Sequence, residues 1–398
     1  MALTGVLIWL LSVAGVVAMH QQHDTSTLTL TSIGTPDPFV TKARGRYYLT
    51  FTAGDRIEIW SSRSLVDIES SANRHVIWKP PHGTDHSADL WAPELHAVRG
   101  RWYIYYAAAS PKLGNKSHRM YVLGGPPAKD DPCQGQWEFL GRIHDTPDQW
   151  AIDGTVFELN DQLYFAYSGW PGNHHDPASD LVQQLFLLRL DDPTTAGSLP
   201  VAISAPQQPW EITRDADGTA HAINEGPQWL AAPDGRWRGL VYSCAGSWTH
   251  EYKMAALTYR GGGSPLDPAS WVKASTPLLC SSSSSSSSSS KRSAGVGAGG
   301  PFGPGHGSFL DVGGGNVVAV YHATDRPDDG WENRRARVQR VAFTDRGPGK
   351  LKGVASGLVE RIKARLSRKR GGDLVDPAGE EDLRALLEGW KPGKGRTR

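Results

Sequence analysis

The feature that most constrains this chain is a unit that occurs five times. The units are TPDPFVTKARGRYYLTFTAG, WAPELHAVRGRWYIYYAAAS, WAIDGTVFELNDQLYFAYSGW, INEGPQWLAAPDGRWRGLVYSCAGSW and GPGHGSFLDVGGGNVVAVYHAT. Each has a polar or acidic opening, a short apolar strand, a Gly or Asp turn and a second strand rich in aromatic or β-branched residues. A third strand follows in each case: DRIEIWSS, HRMYVLGG, QQLFLLRL, YKMAALTYR and RARVQRVAF. Period-two alternation of Val, Ile, Tyr and Phe between such turns is the pattern of half-buried β-ribbons. Repeated units of three or four strands read as propeller blades, so the expectation is an all-β fold, a five-bladed β-propeller spanning residues 24–346. The coils of a β-helix are shorter, and a two-sheet sandwich gives no reason for a polar opening at the start of every unit.

The openings matter because the first strand of each blade lines a propeller's central channel. Asp37 to Tyr48, Glu94 to Tyr105, Asp153 to Tyr164 and His306 to Val317 are each eleven residues apart. Their place at the openings of the units predicts that Asp37, Glu94, Asp153, Glu225 and His306 converge on one axis, with Glu94 in a structural role. Fifteen Trp, twelve Tyr and forty-five Gly suit a turn-rich β protein whose aromatics are divided between core and a sugar-binding surface.

Four segments stand outside the repeat. The apolar run from Leu3 to Ala18, with Val16 and Ala18 at the −3 and −1 positions of a cleavage site, reads as a signal peptide over residues 1–18 and implies a secreted, extracellular protein. A membrane anchor is the rival, but the run barely reaches the length of a span and no basic flank follows. The ten serines from Ser281 to Ser290 and the KRSAGVGAGG after them form a low-complexity insertion over 281–300 that cannot bury a core and is expected to be disordered. Residues 347–398 form a basic, partly helical tail, in which Leu351, Val354, Leu358, Ile362 and Leu366 recur at helical spacing. Cys133, Cys244 and Cys280 fit neither a disulfide framework nor a metal site, and Asn115-Lys116-Ser117 is a glycosylation sequon if the chain is secreted. A formal net charge of +1 gives no reason to expect nucleic acid as a partner.

Three of the axial acids have distinctive neighbours. Asp37 lies between Pro36 and Pro38, Asp153 precedes Gly154, and Glu225 precedes Gly226-Pro227. Each alone reads as a turn residue. Together, at the entries of three units, they place carboxylates around one narrow axis, a costly arrangement to keep without chemical use. Carboxyl groups in different protonation states are what glycosidic cleavage needs: an acid to protonate the leaving oxygen, and a base to activate water or a nucleophile to attack carbon.

The words DPFV (37–40), WAPELH (91–96), WYIYYAA (102–108), WAIDGTVFE (150–158), LYFAYSGW (163–170), NEGPQWL (224–230), GSWTHEYKMAAL (246–257) and GPGHGSF (303–309), in order, resemble glycoside hydrolase family 43, and within it the α-L-arabinofuranosidases. The resemblance implies an inverting hydrolase that releases α-L-arabinofuranosyl residues from arabinan or arabinoxylan. Asp37 then looks like the general base, Glu225 the general acid, and Asp153 the third acid that raises the pKa of Glu225. Trp91, Trp170, Trp248 and Arg334 become candidates for holding substrate. The implied partner is an arabinose-containing polysaccharide or oligosaccharide, bound by a monomer with no stable membrane association. No cofactor is required. His306 resembles the family's axial histidine, which implies a structural ion, calcium, beside it; the alternative is a buried histidine satisfied by hydrogen bonds, and Gly307 replaces the asparagine usual in relatives. A β-xylosidase of the same family and a carbohydrate-binding propeller without turnover are the competing functions.

Overall fold

The computed structural model describes residues 27–172, 179–281, 301–344 and 347–349. The segment expected to be a signal peptide, most of the serine tract and nearly all of the tail lie outside them. The described chain is all-β, with one four-residue α-helix at Ile68–Ser71 and four 3-10 turns among the described residues.

The five sequence units become five antiparallel groups. Phe39–Ala43, Arg46–Thr50, Ile57–Ser62 and Asn73–Trp78 form the first sheet, and Ala88–Val98, Arg101–Ser110, Gly114–Pro127 and Glu138–Arg142 the second. The third group, led by Ala151–Leu159, Gln162–Gly169 and Val182–Asp192, joins the fourth, Ala220–Ala231, Arg238–Cys244, Lys253–Tyr259 and Trp271–Lys273. The join is a short parallel pairing, Val182 with Ala222 and Gln183 with Ile223. The last sheet holds Phe302–Gly313, Asn316–Thr324 and Arg335–Val341, and its outer strand comes from the other end of the chain: Leu28 pairs with Val338. Sequence periodicity missed that strand because Leu28–Thr29 is two residues long.

Apolar side chains fill the space between consecutive groups. Tyr48 and Trp102 meet between the first and second, Tyr105 and Phe165 between the second and third, and Phe157 and Tyr242 between the third and fourth. Met254 and Tyr321 belong to the layer between fourth and fifth, and Val320 and Val40 to the layer that joins the fifth back to the first. Each large apolar side chain buried this way contributes about 1.5–3 kcal/mol. The first strand of each group is in contact with the first strands of the groups before and after it, the last with the first.

One backbone device recurs at the start of these five strands. Asp37, Ala92, Asp153, Gly226 and His306 have φ of 54°, 45°, 57°, 53° and 45°. In the last four units the register slips around that residue, between Trp91 and Glu94, Ile152 and Thr155, Glu225 and Gln228, and Gly305 and Ser308. In the first, Thr52 N–H donates to Pro36 O while Phe39 pairs with Thr50, which skips the same residue. A bulge of this kind re-aims side chains, and a positive φ at Ala or His is a backbone conformation that tertiary packing must hold. It also corrects the spacing argument. The counterpart of Asp37 in the second unit is Ala92, not Glu94, which lies two residues on and pairs with Tyr105. In the fourth it is Gly226, so Glu225 sits one place earlier.

The last described residues stay with the fold. Phe343–Thr344 pairs with Gly347–Pro348, and Phe343 packs near Trp237. Cys133, Cys244 and Cys280 are all free thiols.

Candidate active site

The bulges bring Asp37, Asp153, Glu225 and His306 together on the wall of a cavity of about 250 Å³. Asp37 is held from both oxygens. Its Oδ2 accepts from Thr52 Oγ1 at 2.6 Å, and the same Thr52 oxygen accepts from the N–H of Ala92 at 2.7 Å. Its Oδ1 faces His306 Nδ1 at 3.3 Å, His322 Nδ1 at 3.4 Å and a guanidinium nitrogen of Arg334 at 3.9 Å. Burial opposes ionisation of Asp37, but the charge and hydrogen bond of His306 and the charge of Arg334 outweigh it, holding the carboxyl well below its usual range.

The other two acids are shifted the opposite way. Asp153 Oδ2 accepts from Gly226 N–H at 3.1 Å and lies 3.8 Å from His306 Nδ1. Burial pushes Asp153 up to about 6; His306 opposes this, and Asp37 adds to it. Glu225 is pushed up to about 8, first by burial and then by the charge of Asp153. Burial alone would discharge His306, but Asp153 and Asp37 overcome it and raise the ring to about 10. His322 is fully buried; burial, then the charge of Arg334, lowers it to about 3 and keeps it neutral. Its Nδ1 is thereby free to accept the backbone N–H of Asp37 at 3.0 Å. Near neutral pH the ionised Asp37 and Asp153 balance His306 and Arg334, and the proton of Glu225 stays on.

Thr52 has a consequence for Asp37. Its oxygen is occupied by the Ala92 N–H, so its own proton goes to Asp37. Thr52→Val removes that bond and leaves the Ala92 N–H unmet. A hydrogen bond to a charged group contributes about 1.5–3 kcal/mol, so kcat/KM is expected to fall roughly 10- to 100-fold and its acid limb to move to higher pH, with Thr52→Ser close to wild type. A pH–rate profile checks this; an unmoved acid limb contradicts it.

The substrate-holding candidates divide. Trp91 lines the cavity, stacked on His118 at 3.9 Å and 25°. Trp248 and Arg334 also line it. Trp170 does not: it is buried, stacked at 4.5 Å and 8° behind Trp150, and Trp150 is the ring that faces the cavity. The sequence placed Trp170 at a strand end before a loop, which is correct, but Trp150, from the loop just before Ala151–Leu159, lies in front of it. Thr52, Asn115, Gln183, Trp150 and Trp331 are lining residues that the sequence reading passed over. His322 was legible as a lone histidine inside the apolar strand NVVAVYHAT. Tyr252 hydrogen-bonds Glu225 and stacks at 5.6 Å on His322, linking the two sides of the site.

Among the described residues no group of three or more His, Cys, Asp or Glu side chains is spaced to hold a metal ion. Calcium takes six to eight oxygen ligands. His306 is instead a charged ring turned toward two carboxylates, so the arrangement does not fit the expected calcium.

The sequence profile of glycosyl hydrolases family 43 matches residues 30–348. The chain belongs to glycosyl hydrolase family 43. It is similar to an extracellular exo-α-(1→5)-L-arabinofuranosidase of Streptomyces chartreusis, 32% identical over 70% of this chain and 76% of that one. It is also similar to α-L-arabinofuranosidase 43 of Humicola insolens, 32% identical over 78% of this chain and 60% of that one. The chain thus spans 60% of that longer relative, under two thirds of its length. A crystal structure of an α-L-arabinofuranosidase from Lactobacillus brevis superposes with a TM-score of 0.67 at 29% identity, over 83% of this chain and 97% of that one. No helix among the described residues is long and apolar enough to cross a membrane.

Proposed function

We propose that this family 43 glycosidase is a secreted, five-bladed propeller enzyme that releases terminal α-L-arabinofuranosyl residues from arabinan or arabinoxylan with inversion. The observation that carries the reading is the split of protonation states in one cavity: Asp37 held ionised and Glu225 held protonated near neutral pH. Five apolar layers joining five strand groups in a ring support the propeller reading, and relatives named as extracellular arabinofuranosidases support secretion and substrate.

In this mechanism Asp37 takes a proton from water as that water forms a bond to the anomeric carbon, and Glu225 gives its proton to the departing glycosidic oxygen. The side chain of Asp37 is 13% exposed, enough to meet a water from the cavity. Asp153 keeps the Glu225 proton in place by its charge and receives the Gly226 N–H, fixing the peptide next to the acid. His306 lets two carboxylates share the cavity by lying between them. Trp91 offers a ring face to the C–H face of the sugar, while the buried Trp150, stacked on Trp170, backs the cavity wall. An inverting pair stands roughly 6.5–9.5 Å apart, leaving room for the water.

Proton NMR of the first turnovers on 1,5-linked arabino-oligosaccharides tests this. The expected first product is β-L-arabinofuranose, which later mutarotates. A first-formed α anomer sinks the inverting mechanism; on arabinoxylan oligosaccharides, release of xylose in preference to arabinose sinks the substrate.

A further inference from the structure

A buried cluster of charged and polar side chains stands behind the acid Glu225 and outside the cavity. Its centre is Glu211, which is fully buried. Glu211 Oε2 accepts the backbone N–H groups of Gln207 and Gln208 at 2.7 and 2.8 Å. Its Oε1 accepts Lys273 Nζ at 2.7 Å, Asn224 Nδ2 at 2.8 Å and the Tyr242 hydroxyl at 2.8 Å. Lys273 Nζ also donates to Ala205 O at 2.6 Å and to Asn224 Oδ1 at 3.0 Å, which uses all three of its protons. Asn224 is fully buried as well. Its Oδ1 accepts the Ser204 hydroxyl at 2.8 Å, and its Nδ2 also donates to Ile223 O at 2.8 Å. Both donors and both acceptor sites of the Asn224 amide are therefore in use.

A buried ion pair is a poor source of stability compared with packed apolar side chains, but it can impose one arrangement on the groups around it. Here the group arranged is the strand that carries the acid. Asn224 precedes Glu225, and successive residues of a strand point to opposite faces. The amide is thus anchored in the cluster while the Glu225 carboxyl lines the cavity. Asn224 and Glu225 pair with Cys244 and Ser243, and the register slips directly after them. The main-chain oxygen of Asn224 accepts Ser168 Oγ at 3.0 Å, and Ser168 pairs with Ile152, the residue before Asp153. On the other side of the acid, Asp153 Oδ2 accepts the Gly226 N–H. Glu225 is therefore tied before and after, and both ties lead to the strands that carry Asp153 and its cross-strand neighbour.

We propose that Asn224 is a positioning residue for the general acid: locked by the Glu211–Lys273 pair and by Ser168, it sets where the Glu225 carboxyl stands relative to Asp153 and to the departing glycosidic oxygen. Asn224 does not line the cavity, and it acts through Glu225 alone. The inference rests on the reading of Glu225 as the acid.

The test uses Asn224→Ala and the milder Ser204→Ala, which removes one of the bonds to the Asn224 amide. The substrates are a 1,5-linked arabinotriose and 2,4-dinitrophenyl α-L-arabinofuranoside, whose leaving group departs without a proton. A misplaced acid costs rate only where a proton must be delivered. For Asn224→Ala, kcat on the trisaccharide is expected to fall roughly 10- to 100-fold with KM within about twofold, while activity on the dinitrophenyl substrate stays within about threefold. Ser204→Ala should show the same split with a loss of about three- to tenfold on the trisaccharide. In the Glu225→Gln background, Asn224→Ala should cost no more than about twofold further, because the group it positions is gone. Equal losses on both substrates, no loss on either, or a full further loss in the Glu225→Gln background overturn the role. Should Asn224→Ala not fold, Ser204→Ala decides by the same split. Equal losses for Glu225→Gln itself on the two substrates overturn the acid reading beneath, a result distinct from any of those.

Discussion

Glu225→Gln is expected to lower kcat on arabino-oligosaccharides by roughly 10²- to 10⁴-fold, the usual contribution of a positioned acid. The loss should depend on the leaving group. A sugar alkoxide needs a proton as it departs, whereas 2,4-dinitrophenolate does not, so on the dinitrophenyl arabinofuranoside the variant should be within about tenfold of wild type. Equal losses on both substrates would remove Glu225 from the acid role. The pH profile gives a second reading. Wild type should lose activity as pH rises through about 8, where Glu225 gives up its proton, and the variant on the dinitrophenyl substrate should lack that limb. Stability should also fall with rising pH, but over a lower range. The folded pKa of Glu225 lies above that of a carboxyl in the unfolded chain, so between the two the folded state binds a proton that the unfolded state does not. Stability then falls as pH rises, by about 1.4 kcal/mol per pH unit for one group, until the folded carboxyl itself ionises. His306, also raised, adds a loss of the same sign as pH climbs towards about 10. Glu225→Gln removes only the first slope. Its gain in melting temperature over wild type should therefore be negligible at pH 4 and grow up to about pH 8.

Asp37→Gly is expected to abolish hydrolysis to a similar extent, roughly 10²- to 10⁴-fold, but without dependence on the leaving group, because the lost step is deprotonation of water. A small anion that needs no base should replace the water in the space vacated. Azide is expected to restore turnover and to give β-L-arabinofuranosyl azide, the inverted product. If azide returns no activity, or gives the α azide, Asp37 is not the base of an inverting reaction. The alkaline limb also carries information. Asp37 is one of the charges that hold Glu225 and His306 up, so its removal should bring the pKa of both down.

Most of the fold was legible because strands write period-two patterns and the turns between them are marked by Gly and Asp. The five units, their three inner strands and the convergence of Asp37, Asp153, Glu225 and His306 follow from that alone. The sequence also marked Trp91, Trp248 and Arg334, through words whose neighbours are distinctive. What it did not reveal is the backbone at the entry of each unit. Equal spacing placed Glu94 level with Asp37, but a bulge puts Ala92 there. Likewise Trp170 and Trp150 are twenty residues apart in sequence and stacked in space, so only packing shows which ring meets the cavity.

Residue order by itself determined which groups are present and which strands carry them, since both are local properties of chain pattern and turn chemistry. Tertiary structure alone decided which carboxyl keeps its proton. That choice depends on burial and on charges brought within a few ångströms from strands as far apart as residues 37 and 306, and long-range proximity of that sort leaves no periodic mark on a chain.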